Sequence, residues 1–196
     1  MEAVTAFVLA GGKSSRMGRD KALLELGGKP LLQRAMELAG VAAPDVKIVG
    51  DPTKYASFGR VVADIYAGHG PLGGIHAALV NTPTDLNLIL ATDLPFVAPA
   101  FLRHLIMTAR ATDALITVPK LDEYFEPLCA VYRRKFGEIA QAALQQGRNK
   151  VDALFEDKIT RVLTRDEFVR AGFQSTMFRN LNSPEDLAQA GNMFSE

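Results

Sequence analysis

Val8-Leu9-Ala10-Gly11-Gly12-Lys13-Ser14-Ser15-Arg16-Met17-Gly18-Arg19-Asp20-Lys21 carries an apolar strand straight into a glycine pair and then into a run with four cationic side chains. Glycines lack a Cβ, so a backbone can approach a ligand closely there and aim its N–H groups at anionic oxygens. The stretch therefore reads as a phosphate cradle after a first strand. Counting excludes two other phosphate motifs. A Walker A loop needs Gly-Lys-Ser/Thr five residues after its first glycine, and Gly18 is followed by Arg19. A dinucleotide fingerprint needs Gly-x-Gly-x-x-Gly, whereas Gly11 and Gly12 are adjacent.

Outward from this stretch the chain alternates strands and helices. Strands are expected at Ala3–Leu9, Val46–Val49, Gly59–Ala63, Leu86–Ala91, Asp113–Val118, Leu128–Tyr132 and, late and at an edge, Thr160–Leu163. Leu86–Ala91 is apolar almost throughout, as befits a strand buried on both faces of a parallel sheet. Helices are expected after Pro30 and closed by Gly40, over Ile75–Val80, after Pro99 with Phe101, Leu102, Leu105, Ile106 and Ala109 as its apolar face, and over Lys135–Gln145. A short helix is expected at Val151–Phe155 and a last one after Ser183-Pro184-Glu185-Asp186. Gly68–Gly74 reads as a second glycine-rich loop and Pro119–Pro127 as a plain loop. The alternation predicts an α/β fold: a single-domain, Rossmann-like three-layer sandwich with a mostly parallel sheet, spanning residues 1–196. Ligands of such sheets bind beyond the carboxyl ends of the strands, where Gly11, Asp64, Gly70–Gly74 and Asp93 all fall.

Composition narrows the partners. Twenty-two cationic residues balance 22 anionic ones, which gives no global attraction to nucleic acid or to a membrane surface. Residues 1–35 differ, with Lys13, Arg16, Arg19, Lys21, Lys29 and Arg34 set against Glu2, Asp20 and Glu25. No stretch reaches the length of a membrane span, and the acidic, briefly apolar start does not suit a signal peptide, so a cytoplasmic protein is expected. Cys129 is the only cysteine, which excludes an internal disulfide and a cysteine metal site.

Several residues can carry chemistry. Asp93, delivered at the end of a buried strand, suits Mg²⁺, a hard cation that takes one or two carboxylates plus substrate phosphates; a turn or helix-cap role is the plainer alternative. Arg16 and Lys21 suit phosphates, Arg through its bidentate fork and Lys as a mobile point charge. Asp64 can accept paired N–H bonds from a guanine edge or simply form a turn. Asn180 and Asn182 point to one side of an extended segment and suit a metal or phosphate site, or a turn before the last helix. Glu126 faces a second substrate or is a loop acid, and His69, His76 and His104 lack metal-ligand spacing and are read as surface or packing residues.

Taken together, Leu9-Ala10-Gly11-Gly12-x-Ser14-x-Arg16-Met17-Gly18-x-Asp20-Lys21, Gly70-Pro71-Leu72-Gly73-Gly74, Thr92-Asp93-Leu94-Pro95-Phe96 and Asn180-Leu181-Asn182-Ser183-Pro184-Glu185-Asp186-Leu187 resemble the molybdenum cofactor guanylyltransferase family. The first motif belongs to a broader nucleotidyltransferase superfamily; the set, in this order, points to the branch. The resemblance implies GMP transfer from GTP to molybdenum-molybdopterin, with pyrophosphate released and Mg²⁺ required. It implies GTP contacts at Leu9, Ala10 and Gly11, phosphate contacts at Lys21, a nucleotide contact at Asp64, and both metal and nucleotide at Asp93. Gly12, Asn180 and Asn182 join the expected binding residues, and Asp93, Lys21 and Arg16 the expected catalytic set. Its expected partners are GTP and molybdopterin, with transient contact to molybdopterin-synthesis or molybdoenzyme proteins. One position departs: Gly50 stands where an amide contacting the nucleotide is expected. CTP on molybdopterin, a nucleotide on a sugar or alcohol phosphate, and a non-catalytic nucleotide-binding role in molybdoenzyme assembly remain alternatives.

Overall fold

Ten strands and seven α-helices make up the computed structural model over the residues it describes, 2–11, 20–66, 68–181 and 183–193. In chain order they are β1 (Val4–Leu9), a 3₁₀ turn (Lys21–Leu23), β2 (Glu25–Leu26), β3 (Lys29–Pro30), α1 (Leu31–Ala42), β4 (Asp45–Val49), α2 (Pro52–Tyr55), β5 (Val61–Val62), α3 (Gly70–Val80) and β6 (Leu86–Ala91). There follow α4 (Pro99–Arg110), β7 (Ile116–Leu121), β8 (Tyr124–Phe125), β9 (Cys129–Arg133), α5 (Phe136–Gln145), β10 (Thr160–Thr164), α6 (Arg165–Arg170) and α7 (Pro184–Met193).

The main sheet runs β10-β7-β9-β6-β1-β4-β5, with β8 added to β7 as a hairpin. Pairings β1/β4, β1/β6, β4/β5 and β7/β10 are parallel, and β9 is antiparallel to both neighbours. Every residue of β1 and β6 is buried, which is why these two strands lack the polar alternation of a half-exposed strand.

Alternate side chains of β1 enter two cores. Val4, Ala6 and Val8 pack with Leu32, Ala35 and Ala39 of α1 and Phe101, Leu102 and Leu105 of α4. Phe7 and Leu9 pack with Leu72, Ile75 and Leu79 of α3 and with Phe136, Ala140 and Leu144 of α5. Helices therefore cover both faces, as the strand–helix alternation predicts. Two helix starts are built from local chemistry. Thr164 and Glu167 form a reciprocal capping box at α6. At α7 the Ser183 hydroxyl accepts from the Asp186 amide at 3.1 Å, while the Asp186 carboxylate accepts from the Ser183 amide at 3.0 Å.

The chain departs from its sequence reading in several places, and α2, α6 and the β2/β3 pair have no counterpart there. α1 runs through Gly40 to Ala42, ending where the Ala43 amide donates to Ala39 at 2.9 Å; an interior glycine costs only about 1 kcal/mol in helix propensity. Of the loop expected at Gly68–Gly74, Gly70–Gly74 form the first turn of α3. Pro119 lies within β7, opposite Leu163 of β10, and the expected loop 119–127 holds the β7/β8 hairpin. The strand expected over 59–63 is only Val61–Val62, because Gly59 sits at φ +156° outside the ladder. No helix among the described residues is long and apolar enough to cross a membrane. Cys129 is buried, and burial pushes its thiol far above the ordinary range, so it is an inert packing group.

Phe101 anchors the α4 side, meeting Phe168, Phe173 and Phe178 edge-on at centroid distances of 5.9, 5.2 and 5.3 Å. Phe101→Ala should cost about 3–5 kcal/mol, from lost burial plus a residual cavity. Urea unfolding monitored by circular dichroism measures it, and a loss under about 1 kcal/mol would show that the cluster contributes little.

Candidate functional site

β1, β4, β5 and β6 run parallel, so their carboxyl ends lie along one edge of the sheet. Leu9 closes β1 beside Ala91 of β6, and the Ala10 amide donates to Val49 of β4 at 2.9 Å. These contacts set the backbone of Leu9, Ala10 and Gly11 between two neighbouring strand ends. Leu9 and Ala10 are buried, whereas Gly11 is exposed and has open space where a Cβ would stand. Gly12 and Arg16 lie outside the described residues.

The chain re-enters the described structure at Asp20, the N-cap of the 3₁₀ turn Lys21–Leu23. Asp20 Oδ1 accepts from the Ala22 amide at 3.1 Å, and Oδ2 accepts from the Tyr55 hydroxyl at 2.7 Å. From that turn Lys21 Nζ reaches Asp93 Oδ2 at 2.8 Å, an ion pair across 72 residues in which both side chains are largely shielded, 19% and 25% exposed. Asp93 stands two residues beyond β6, and its carbonyl accepts from the Leu181 amide at 3.1 Å. That bond brings the half-buried Asn180 alongside Asp93; Asn182 lies outside the described residues. Three separated segments of chain thus meet at Asp93.

Asp64, two residues beyond β5, accepts from the Tyr66 amide at 2.9 Å through Oδ1. A Cβ on Gly73 would come within 2.9 Å of the Tyr66 carbonyl oxygen and 3.2 Å of both Asp64 carboxylate oxygens. Asp64 therefore sits tight against the first turn of α3, where the helix dipole favours a carboxylate. Gly73 is a packing requirement of Asp64, which a glycine-loop reading of the sequence did not disclose. His76, 3% exposed, packs edge-on to Tyr66 at 5.1 Å, and burial holds its imidazole below the ordinary value. It is a packing histidine, while His69 contacts Asn149 at 3.0 Å and His104 lies on Phe173.

Gly50 has a local explanation. A Cβ there would fall 2.7 Å from Tyr55 Cε2 and 3.0 Å from the Ala10 carbonyl oxygen. The Tyr55 ring fills the place a side chain at position 50 would need.

A second carboxylate belongs to this neighbourhood. β6 and β9 pair antiparallel with Leu90 opposite Cys129, and the Ala91 amide donates to the Leu128 carbonyl at 2.8 Å. Glu126 stands three residues before β9, close enough to Asp93 for that carboxylate's charge to act on it. Glu126 is anchored by its backbone, its amide donating to Pro119 and its carbonyl accepting from Cys129. Burial first, and the nearby Asp93 charge second, raise its carboxyl from 4.5 to about 7. Among the described residues no three His, Cys, Asp or Glu side chains gather to hold an ion by themselves. A cation at Asp93 would thus draw its remaining ligands from substrate oxygens and water, the habit of Mg²⁺.

A carboxylate and a lysine paired beyond the strand ends, near the exposed Gly11 backbone, can hold an anionic ligand and a hard cation. The chain is similar to known proteins. Residues 6–161 match the model of the MobA-like NTP transferase domain. The molybdenum cofactor guanylyltransferases of Desulfosudis oleivorans and Vibrio atlanticus are both 32% identical to the chain, over 97% and 95% of it and 95% and 94% of their own lengths. The crystal structure of molybdopterin-guanine dinucleotide biosynthesis protein A from Archaeoglobus fulgidus superposes with a TM-score of 0.84 at 28% identity, covering 97% of this chain and 98% of that one. The chain belongs to the MobA-like NTP transferase family, on its molybdenum cofactor guanylyltransferase branch, and is a nucleotidyltransferase.

The raised Glu126 carboxyl fixes a sign. Between 4.5 and about 7 the folded chain holds a proton at Glu126 that the unfolded chain has lost, so this group's contribution to stability falls as pH rises through that window. The stability difference between wild type and Glu126→Gln should therefore shift in favour of the variant from pH 4.5 to pH 7.5, read from urea midpoints. A pH-independent difference would contradict it.

Proposed function

We propose that this enzyme transfers GMP from GTP to the terminal phosphate of molybdenum-molybdopterin, forming the guanine dinucleotide cofactor and pyrophosphate. The observation that carries the proposal is the Lys21–Asp93 ion pair at the end of β1 and β6, on a chain whose relatives are named for guanylyl transfer.

No protein nucleophile is required. An oxygen of the acceptor's terminal phosphate attacks the α-phosphorus of GTP; the new P–O bond forms as the bond to the β-phosphate oxygen breaks and pyrophosphate leaves. The protein's task is positioning and charge neutralisation. Leu9, Ala10 and Gly11 line the nucleotide from the end of β1, and Lys21, Arg16 and the Gly11–Gly12 amides take the triphosphate. Asp64, held by the Tyr66 amide, accepts from the guanine edge. Asn180 and Asn182 complete the phosphate side of Asp93.

Mg²⁺ fits the donor set of a hard carboxylate oxygen beside phosphates, and when bound on Asp93 it supplies charge stabilisation at the α-phosphate. Lys21 neutralises Asp93 in the absence of substrate, and the incoming triphosphate offers Lys21 a more highly charged partner. Residues 1–196 act as one catalytic domain. Its partners are GTP and molybdopterin, with transient contact to proteins that supply molybdopterin or receive the product, and with no part for nucleic acid or membrane. Its expected compartment is the cytoplasm, where GTP is supplied. Gly50, which offers no side chain to a base, leaves CTP as the alternative donor.

The test is incubation with molybdopterin, Mg²⁺ and each nucleoside triphosphate in turn, with pyrophosphate measured and the product identified by mass. GTP should give the guanine dinucleotide, and a clear CTP preference would overturn the donor. Asp93→Asn should lose roughly 100-fold or more in turnover, as expected on removing a charge aimed at the reacting phosphate, with an unchanged circular dichroism spectrum. Near-normal turnover would sink the role given to Asp93.

A further inference from the structure

Tyr55 is 3% exposed and comes from α2, a single turn outside every motif singled out in the sequence. Its ring packs in the core with Ala10, Ala22 and Ile48 and covers Gly50. Packing accounts for the ring but not for the hydroxyl, which points at a carboxylate: Tyr55 Oη donates to Asp20 Oδ2 at 2.7 Å. The same carboxylate caps the turn through Ala22, and Lys54 Nζ stands 3.4 Å from Oδ2. The next residue along, Lys21, is the one whose ammonium meets Asp93 at 2.8 Å. A short chain of contacts thus runs from the β4 end, through Tyr55 and Asp20, into the turn that carries Lys21.

We propose that Tyr55 is a positioning residue for nucleotidyl transfer, its hydroxyl clamping Asp20 and so fixing the turn that presents Lys21 to the substrate phosphates. The inference rests on the reading that Lys21 serves the triphosphate. It gives the Gly50–Tyr55 contact a purpose. With no side chain at position 50, the ring can lie flat over the end of β4 and its hydroxyl can reach Asp20; a Cβ 2.7 Å from Cε2 would push it away. The hydroxyl is also a dependable donor, because burial and the Asp20 carboxylate raise its ionisation well above any working pH. Hydrogen bonds to charged groups are among the stronger ones, and this one ties Asp20, the cap of the turn from which Lys21 projects, to α2.

Tyr55→Phe removes the hydroxyl and keeps the ring over Gly50, so the fold is retained. Pyrophosphate release is measured for wild type, Tyr55→Phe, Lys21→Met and the double variant, over a range of GTP concentrations and alongside thermal melts. We expect Tyr55→Phe to melt within a few degrees of wild type and to lose about tenfold in kcat/KM for GTP, the scale of one lost charged hydrogen bond. In the Lys21→Met background the same substitution should have no further effect, because it acts through Lys21. A purely structural tyrosine would instead lower both backgrounds equally. That outcome, or a Tyr55→Phe enzyme within twofold of wild type, overturns the proposal. Wild-type turnover with CTP and not GTP overturns the guanylyl assignment alone, and the Tyr55 comparison is then read with CTP. Absence of turnover with every triphosphate overturns both.

Discussion

Lys21 and Asp93 are 72 residues apart and meet at 2.8 Å. For that pair to form, β1 and β6 must lie side by side and parallel, so that the loop leaving one and the carboxylate leaving the other emerge at the same edge. The 3₁₀ turn must be capped by Asp20, and the segment beyond β6 must be fixed, which the Leu181 amide does by bonding the Asp93 carbonyl. Both charges are substantially shielded from water. Each is costly to leave without the other, which ties the geometry of the site to the integrity of the fold.

The same constraint explains the small residues around it. Gly74 lies against Leu9, where a Cβ would come within 3.0 Å of its side chain, and so lets α3 pack close under the end of β1. Gly73 makes room for Asp64, and Gly50 makes room for Tyr55. What reads along the sequence as glycine richness is, in space, a set of close approaches between α3 or Tyr55 and the ends of the parallel strands. Glu126 approaches Asp93 from the turn before β9, where its carbonyl accepts from the Cys129 amide.

Most of the fold was legible because its signals are local. β6 announces itself by six residues buried on both faces, and α4 by Pro99 at its start and a continuous apolar stripe. Legibility fails where tertiary contacts overrule local chemistry. A Gly-Pro-x-Gly-Gly run looks like a loop, yet it forms the first turn of α3 because its glycines pack against Leu9 and Asp64. Tyr124–Phe125 is too short to show a strand's period, and Pro119 argues against one, so the β7/β8 hairpin was invisible. At the site, Asp93, Lys21 and Asp64 could be named from their places after strands. That Asn180 lies by Asp93 through a backbone bond at Leu181, and that Glu126 comes near enough to Asp93 to feel its charge, depends on tertiary contacts no spacing reveals. Tyr55 gave no signal, since an aromatic on a single helical turn has no pattern to break.

If one ion pair joins the two halves of the site, a double-mutant cycle on Lys21→Met and Asp93→Asn, read in kcat/KM for GTP, measures their coupling. Residues that work as a unit are strongly non-additive. Each single variant should lose roughly 100-fold, and the double variant little more than the worse of the two. A double variant whose loss equals the product of the two single losses would contradict that coupling, making Lys21 and Asp93 independent contributors that happen to lie close together.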